Sequence, residues 1–127
     1  MNPLSEHLTT GTFGELLVQL RLPQYEVQAA PPLKDTGNDL IAVRGPVFKA
    51  IQVKTTTTDR FRLDEMPKHY HLAALVALVV EGHEVDLQET KVFLLPRDEA
   101  ERTATRSLGS LADWLVRRDL VDKLFAA

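Results

Sequence analysis

Two apolar, strand-forming segments separated by four residues constrain this chain most. Asp39-Leu40-Ile41-Ala42-Val43 and Phe48-Lys49-Ala50-Ile51-Gln52-Val53-Lys54 flank Arg44-Gly45-Pro46-Val47. Strand-forming residues on both sides of a Gly-Pro loop predict a β-hairpin. The register is the same whether the loop is Gly45-Pro46 or all of 44–47: Val43 faces Phe48 and Asp39 faces Gln52. Side chains opposed across an antiparallel pair have Cβ atoms about 4.5–5.5 Å apart. Lys54, two residues past Gln52, points to the same face. An acid, an amide and an amine therefore meet at one end of a hairpin otherwise rich in Leu, Ile, Ala, Val and Phe.

The flanking pattern alternates between helix and strand. Leu8, Leu16, Leu17 and Leu20 predict a helix from Ser5 to Leu22, stopped by Pro23. Gly11 and Gly14 oppose that helix by about 0.5–1 kcal/mol each relative to Ala, and close approach of another backbone accounts for them. Tyr25 to Ala29 alternates as a short strand that Pro31 and Pro32 end, and Lys34 to Asn38 is turn chemistry. Asp64 to His71 is expected as a short helix, capped by Asp64 with Pro67 in its first turn. The run Leu72 to Val80 reads as a buried strand before a Glu81-Gly82-His83 turn, and Thr90 to Leu95 as another strand ended by Pro96. A last helix starts at Ser107 or Ser110. Leu111, Trp114, Leu115, Val121 and Leu124 form its apolar stripe, and Arg117 and Arg118 lie mid-helix on a solvated face. The order α-β-β-β-α-β-β-α gives an α/β class: a mixed central β-sheet flanked by helices, in one domain over 1–127.

Composition narrows the chemistry. With no cysteine, thiol catalysis, zinc fingers and iron–sulfur ligation are excluded. Fifteen basic against eighteen acidic residues give a net charge of −3, which excludes a polycationic coat but not a local basic groove. Residues 44–68 run the other way, with Arg44, Lys49, Lys54, Arg60, Arg62 and Lys68 against three acids. These cations are candidate phosphate contacts, with hydroxyls from Thr55 to Thr58 beside them. The longest apolar run is nine residues, whereas a membrane helix needs about 20. The N-terminus shows no basic segment followed by an apolar core, so a cytoplasmic protein is expected. His69 and His71 are spaced as strand ligands, and zinc would need His83 or Glu81 as a third; a structural role for them is the plainer reading.

A carboxylate and an amide oxygen on rigid strands suit a hard cation such as Mg²⁺ or Mn²⁺, which takes few protein ligands and keeps several waters. Asp39 and Gln52 supply those groups, the Val53 backbone carbonyl is a further oxygen, and Glu15 on the first helix offers a second carboxylate beside Gly14. Lys54 can neutralise charge on a phosphate oxygen or position a water. The plain alternatives are a turn aspartate, the polar face of a half-exposed strand and a solvated helix glutamate.

Gly11-x-x-Gly14-Glu15 on a first helix, Asn38-Asp39, and Gln52-x-Lys54 after a hairpin together resemble the PD-(D/E)xK nuclease superfamily. Gln-Val-Lys in place of Asp/Glu-x-Lys is similar to the QxK subgroup found among group I intron homing endonucleases, and archaeal Holliday-junction resolvases share the skeleton with Glu at that position. The similarity spans about Thr10 to Pro96. It implies a restriction-endonuclease-like core, DNA as substrate and metal-dependent phosphodiester hydrolysis. Asp39 would be the central metal ligand, Gln52 the stand-in for the acidic ligand, Lys54 the catalytic lysine and Glu15 the helix carboxylate. Asn38 replaces the motif's proline. Gln52 removes one negative charge, so metal affinity should fall unless Glu15 compensates. The alternative is an inactive nuclease-fold module that binds nucleic acid or a protein. Cutting two strands requires a homodimer or higher oligomer.

Overall fold

The computed structural model describes residues 6–33 and 37–127, with side chains from residue 9 onward. Ser5, the Leu8 side chain and the 34–36 part of the expected turn lie outside the described residues. Helix α1 (Glu6–Arg21) passes directly into a 3-10 turn, Leu22–Tyr25, because Pro23 has no amide with which to continue the α-helical ladder. Glu26 closes that turn in the left-handed region, its amide bonded to the Leu22 and Pro23 carbonyls. Strand β1 (Gln28–Ala30) follows, then β2 (Leu40–Arg44) and β3 (Val47–Thr56). The remaining elements are β4 (Arg60–Arg62), β5 (Leu72–Ala77), β6 (Val80–Glu81), β7 (Glu84–Val85), β8 (Lys91–Pro96), α2 (Arg97–Ala100), β9 (Thr105–Ser107), a second 3-10 segment (Leu108–Trp114) and α3 (Arg118–Leu124).

Five strands form the central sheet in the order β1-β2-β3-β5-β8. Only β3 and β5 run parallel; the other neighbours are antiparallel, so the sheet is mixed. The hairpin register is as read from the sequence, with Val43 opposite Phe48, Ile41 opposite Ala50 and Leu40 opposite Ile51. Gly45, at φ 58°, makes the turn that a residue with a Cβ rarely adopts.

Both faces of the sheet are covered where β5 runs. On one face Leu17 and Val18 of α1, with Val121 and Phe125 at the C-terminal end, pack against Leu40, Ile51, Val53, Ala74 and Leu94. On the other, Phe61, Leu63, Tyr70 and Leu111 pack against Ala73, Leu75, Phe93 and Leu95. All six residues of β5 are buried, which is why its sequence is a continuous apolar run instead of an alternation. Thr90 is buried and fully used: its hydroxyl donates to the Asp86 carbonyl at 2.7 Å and accepts the Val79 amide at 3.0 Å.

Four expected elements differ. The buried strand read over Leu72 to Val80 ends at Ala77, and Val80, exposed, opens β6. The strand at 25–29 moves to Gln28–Ala30, since Tyr25 belongs to the 3-10 turn. No helix forms over 64–71. The Asp64 carboxylate bonds Arg62 instead of capping a helix, and the segment carries the chain across the sheet face with Tyr70 buried beneath it. The last helix is broken in two. Leu115 is extended and bridges Phe93, and the Val116 amide bonds the Val92 carbonyl at 3.0 Å. The outer edge of β8 thereby gains backbone partners that a continuous helix would deny it. Arg118 consequently opens α3, pairs with Glu26 at 2.6 Å and stacks over Tyr25. The antiparallel β4–β9 pair and the short α2 have no counterpart in the sequence reading. No helix among the described residues is long and apolar enough to cross a membrane.

Candidate active site

The site forms where the sheet forks. β2 ends its ladder at the Leu40–Ile51 pair, whereas β3 continues to Thr56. Among the described residues, the β2-side edge of β3 beyond Ile51 therefore has no strand partner. Asp39 stands just before β2 and fills part of that gap. Its Oδ2 accepts the Val53 amide at 2.9 Å. Asp39 thus does not pair with Gln52 across a ladder, as the extended register implies; it is held by the backbone one residue further on. In an extended residue the amide and carbonyl face the same edge, so the Val53 carbonyl lies on this open side too.

Side chains along β3 alternate in the expected way. Ile51 and Val53 belong to the core under α1. Gln52 and Lys54 sit beside Ala73 and Leu75 of β5, which belong to the opposite face. Because β2 has ended, groups from both faces border the same opening. Glu15, Val53, Lys54 and Thr55, with Thr10 and Gly11, line a cavity of about 210 Å³ there. The Lys54 Nζ donates to the Glu65 backbone carbonyl at 3.1 Å, so the irregular segment after β4 restrains the ammonium. The Gln52 Oε1 is buried with no hydrogen-bond partner among the described residues, and so is the Oδ1 of Asn38, the residue before Asp39.

Electrostatics follow from this crowding. Burial, and next the Asp39 carboxylate, raise the Glu15 carboxyl above its ordinary value. Two carboxylates that repel one another are a pair whose repulsion a hard cation would relieve.

Gly14 explains how Glu15 reaches this position. A Cβ at Gly14 would overlap the Thr55 Oγ1 and come within 2.9 Å of its Cβ. α1 therefore lies against β3 as only glycine permits. Gly11 differs: a Cβ there meets nothing within 4 Å, so the close-approach reading holds for Gly14 alone.

The basic residues of 44–68 do not form one surface. Arg44 stands at the turn end of the hairpin, about 17 Å along the strand from Asp39 at 3.3 Å per residue, and pairs with Asp122 at 2.8 Å. Lys49 lies mid-strand opposite Ala42. Arg60 and Arg62 are exposed on β4, Arg62 paired with Asp64 at 3.2 Å, and Lys68 is exposed beyond them. In the threonine tract Thr55 meets Gly14, the Thr56 and Thr58 hydroxyls bond one another at 2.9 Å, and Thr57 and Thr58 are exposed. The His71 Nδ1 accepts the Ala50 amide at 2.9 Å, a structural role. Among the described residues no three His, Asp or Glu side chains converge as a metal group. The Glu65 carbonyl that holds Lys54 is the site component that sequence reasoning missed. No pattern signals a backbone acceptor.

No known family profile and no curated protein matches the chain. A solved bacterial homing endonuclease superposes on it with a TM-score of 0.57 at 17% identity, over 80% of this chain and 73% of that one. The two chains share a fold. It is a nuclease-like α/β fold: a mixed five-stranded sheet flanked by helices, with Glu15, Asp39, Val53 and Lys54 at its fork.

Proposed function

We propose that this protein is a metal-dependent DNA endonuclease that hydrolyses phosphodiester bonds, a QxK variant of the PD-(D/E)xK type. One observation carries the reading. On a fold shared with a homing endonuclease, Glu15, Val53 and Lys54 line one cavity at the end of β2, and the Asp39 carboxylate is bonded to the Val53 amide of that cavity wall. Asp39, Glu15, the Gln52 Oε1 and the Val53 carbonyl would hold Mg²⁺ or Mn²⁺. The buried, undonated Gln52 oxygen supports that fit. The ion, when bound, supplies charge neutralisation and a more acidic water.

The chain's own groups do the rest. Asp39 is fixed by the Val53 amide, so its free oxygen needs no reorganisation to bind. Glu15 gives the second negative charge that Gln52 lacks. Lys54 brings a positive charge to the phosphate oxygens as charge accumulates on them. Arg60, Arg62 and Lys68, exposed past the end of β3, would contact the DNA backbone, whereas Lys49 at mid-strand and Arg44, paired with Asp122, lie apart from them. A homodimer or higher oligomer would bring two such sites to two strands.

The test is cleavage of supercoiled, linear and branched DNA with Mg²⁺, Mn²⁺ or EDTA. Nicking that needs the metal and disappears in Asp39→Ala and Lys54→Ala is the expected result. Intact DNA under every metal condition, with DNA binding unchanged in both variants, would instead identify an inactive nuclease-fold module.

A further inference from the structure

We propose that the contact between Gly14 and Thr55 is a spacing device that holds Glu15 beside Asp39, which makes both Gly14 and Thr55 positioning residues. The inference rests on the reading above only in treating Glu15 and Asp39 as parts of one site. Local preference argues against glycine in the middle of α1, where it costs about 0.5–1 kcal/mol relative to alanine. Gly14 has a contact that offsets this cost, which Gly11 lacks. Its added Cβ would overlap the Thr55 Oγ1 and lie 2.9 Å from the Thr55 Cβ, so rotating the threonine would not clear the space. The partner is a strand residue on β3, held in the ladder opposite Val76 of β5. Helix α1 must therefore move instead. Glu15 is the next residue on that helix and lines the cavity with Val53, Lys54 and Thr55. Lifting the helix lifts Glu15 away from the strand edge, while Asp39, anchored on the Val53 amide, stays behind.

The experiment measures whether the two carboxylates sense each other, in EDTA, so that neither metal nor DNA enters. Urea unfolding at pH 7 is recorded for Glu15→Gln, Asp39→Asn and the pair, in the wild-type, Gly14→Ala and Gly14→Ala/Thr55→Gly backgrounds. In the wild-type background the pair of substitutions should stabilise less than the sum of the singles, with a coupling of at least about twofold in the unfolding equilibrium constant, the low end for residues in contact. The coupling should vanish in Gly14→Ala and return in Gly14→Ala/Thr55→Gly. Gly11→Ala, where a Cβ meets no atom within 4 Å, should leave it unchanged. If Gly14→Ala does not fold, the double variant must fold and retain the coupling. The proposal is overturned by an uncoupled wild type, by coupling that persists in Gly14→Ala, by its loss in Gly11→Ala, or by a double variant that fails to restore it or to fold. A protein that passes this cycle yet takes up no Mn²⁺ keeps the spacing device and loses only the metal-dependent reading.

Discussion

The Asp39 carboxylate accepts the Val53 amide at 2.9 Å, at the point where β2 leaves β3. One side chain therefore satisfies a strand edge and carries a negative charge into the cleft. The two tasks separate in variants. Asp39→Asn keeps an oxygen acceptor and removes the charge, so stability by urea unfolding should stay near wild type while cleavage is lost. Asp39→Ala also strands the partly buried Val53 amide, which costs about 1–3 kcal/mol. Equal stability of the two variants would show that the bond contributes nothing.

Glu15 predicts a pH signature. Burial, then the Asp39 charge, raise its carboxyl in the folded chain. A carboxyl raised above its unfolded value binds its proton more tightly when folded, so it destabilises the fold once ionised. That penalty is absent below the ordinary value of 4.5 and complete above the raised value. Glu15→Gln should therefore stabilise the metal-free protein at pH 7 and leave it unchanged near pH 3, as read by thermal unfolding in EDTA. Added Mn²⁺ should reverse the order at pH 7, because binding to the folded state of the wild type stabilises it.

Gln52 is the side-chain metal ligand without a charge in the proposed site, and its buried Oε1 has no donor among the described residues. Gln52→Glu should bind Mn²⁺ more tightly by calorimetry, by about tenfold or more, since a carboxylate adds a charge to the same donor geometry. The metal-free variant should be less stable than wild type at pH 7, because a third negative group joins Glu15 and Asp39. A weaker affinity for Mn²⁺ would mean that the amide does something other than ligate the ion.

The hairpin was legible because its information is local. The short loop at Gly45-Pro46 suggests the register that the hairpin adopts, while the apolar pattern on its own disfavours a one-residue slip only weakly; that register brings Asp39, Gln52 and Lys54 near one end. The buried β5 was legible from its unbroken apolar run. What sequence could not supply depends on distant partners. The last helix breaks because Leu115 and Val116 are drawn to the edge of β8, more than twenty residues earlier in the chain. β4 finds its partner β9 across an interval of over forty residues. Asp64 looks like a helix cap until Arg62 claims its carboxylate. At the site, residue types gave the donor set, but the anchoring of Asp39 on a backbone amide required the end of β2 to be seen.

Lys54 supplies the last prediction. Its ammonium is held by the Glu65 backbone carbonyl at 3.1 Å, so the restraint does not depend on the Glu65 side chain. Lys54→Ala removes the positive charge from the cleft and should lower kcat by about 10²–10³, as the loss of a transition-state donor does, while Mn²⁺ uptake is retained or improved. Glu65→Ala leaves the carbonyl in place and should keep kcat within about twofold of wild type, since surface substitutions away from special contacts have small effects. Single-turnover cleavage of a labelled duplex measures both. A Glu65→Ala variant as slow as Lys54→Ala would move the restraint from the backbone to the side chain. A Lys54→Ala variant at wild-type rate would take the lysine out of the chemistry altogether.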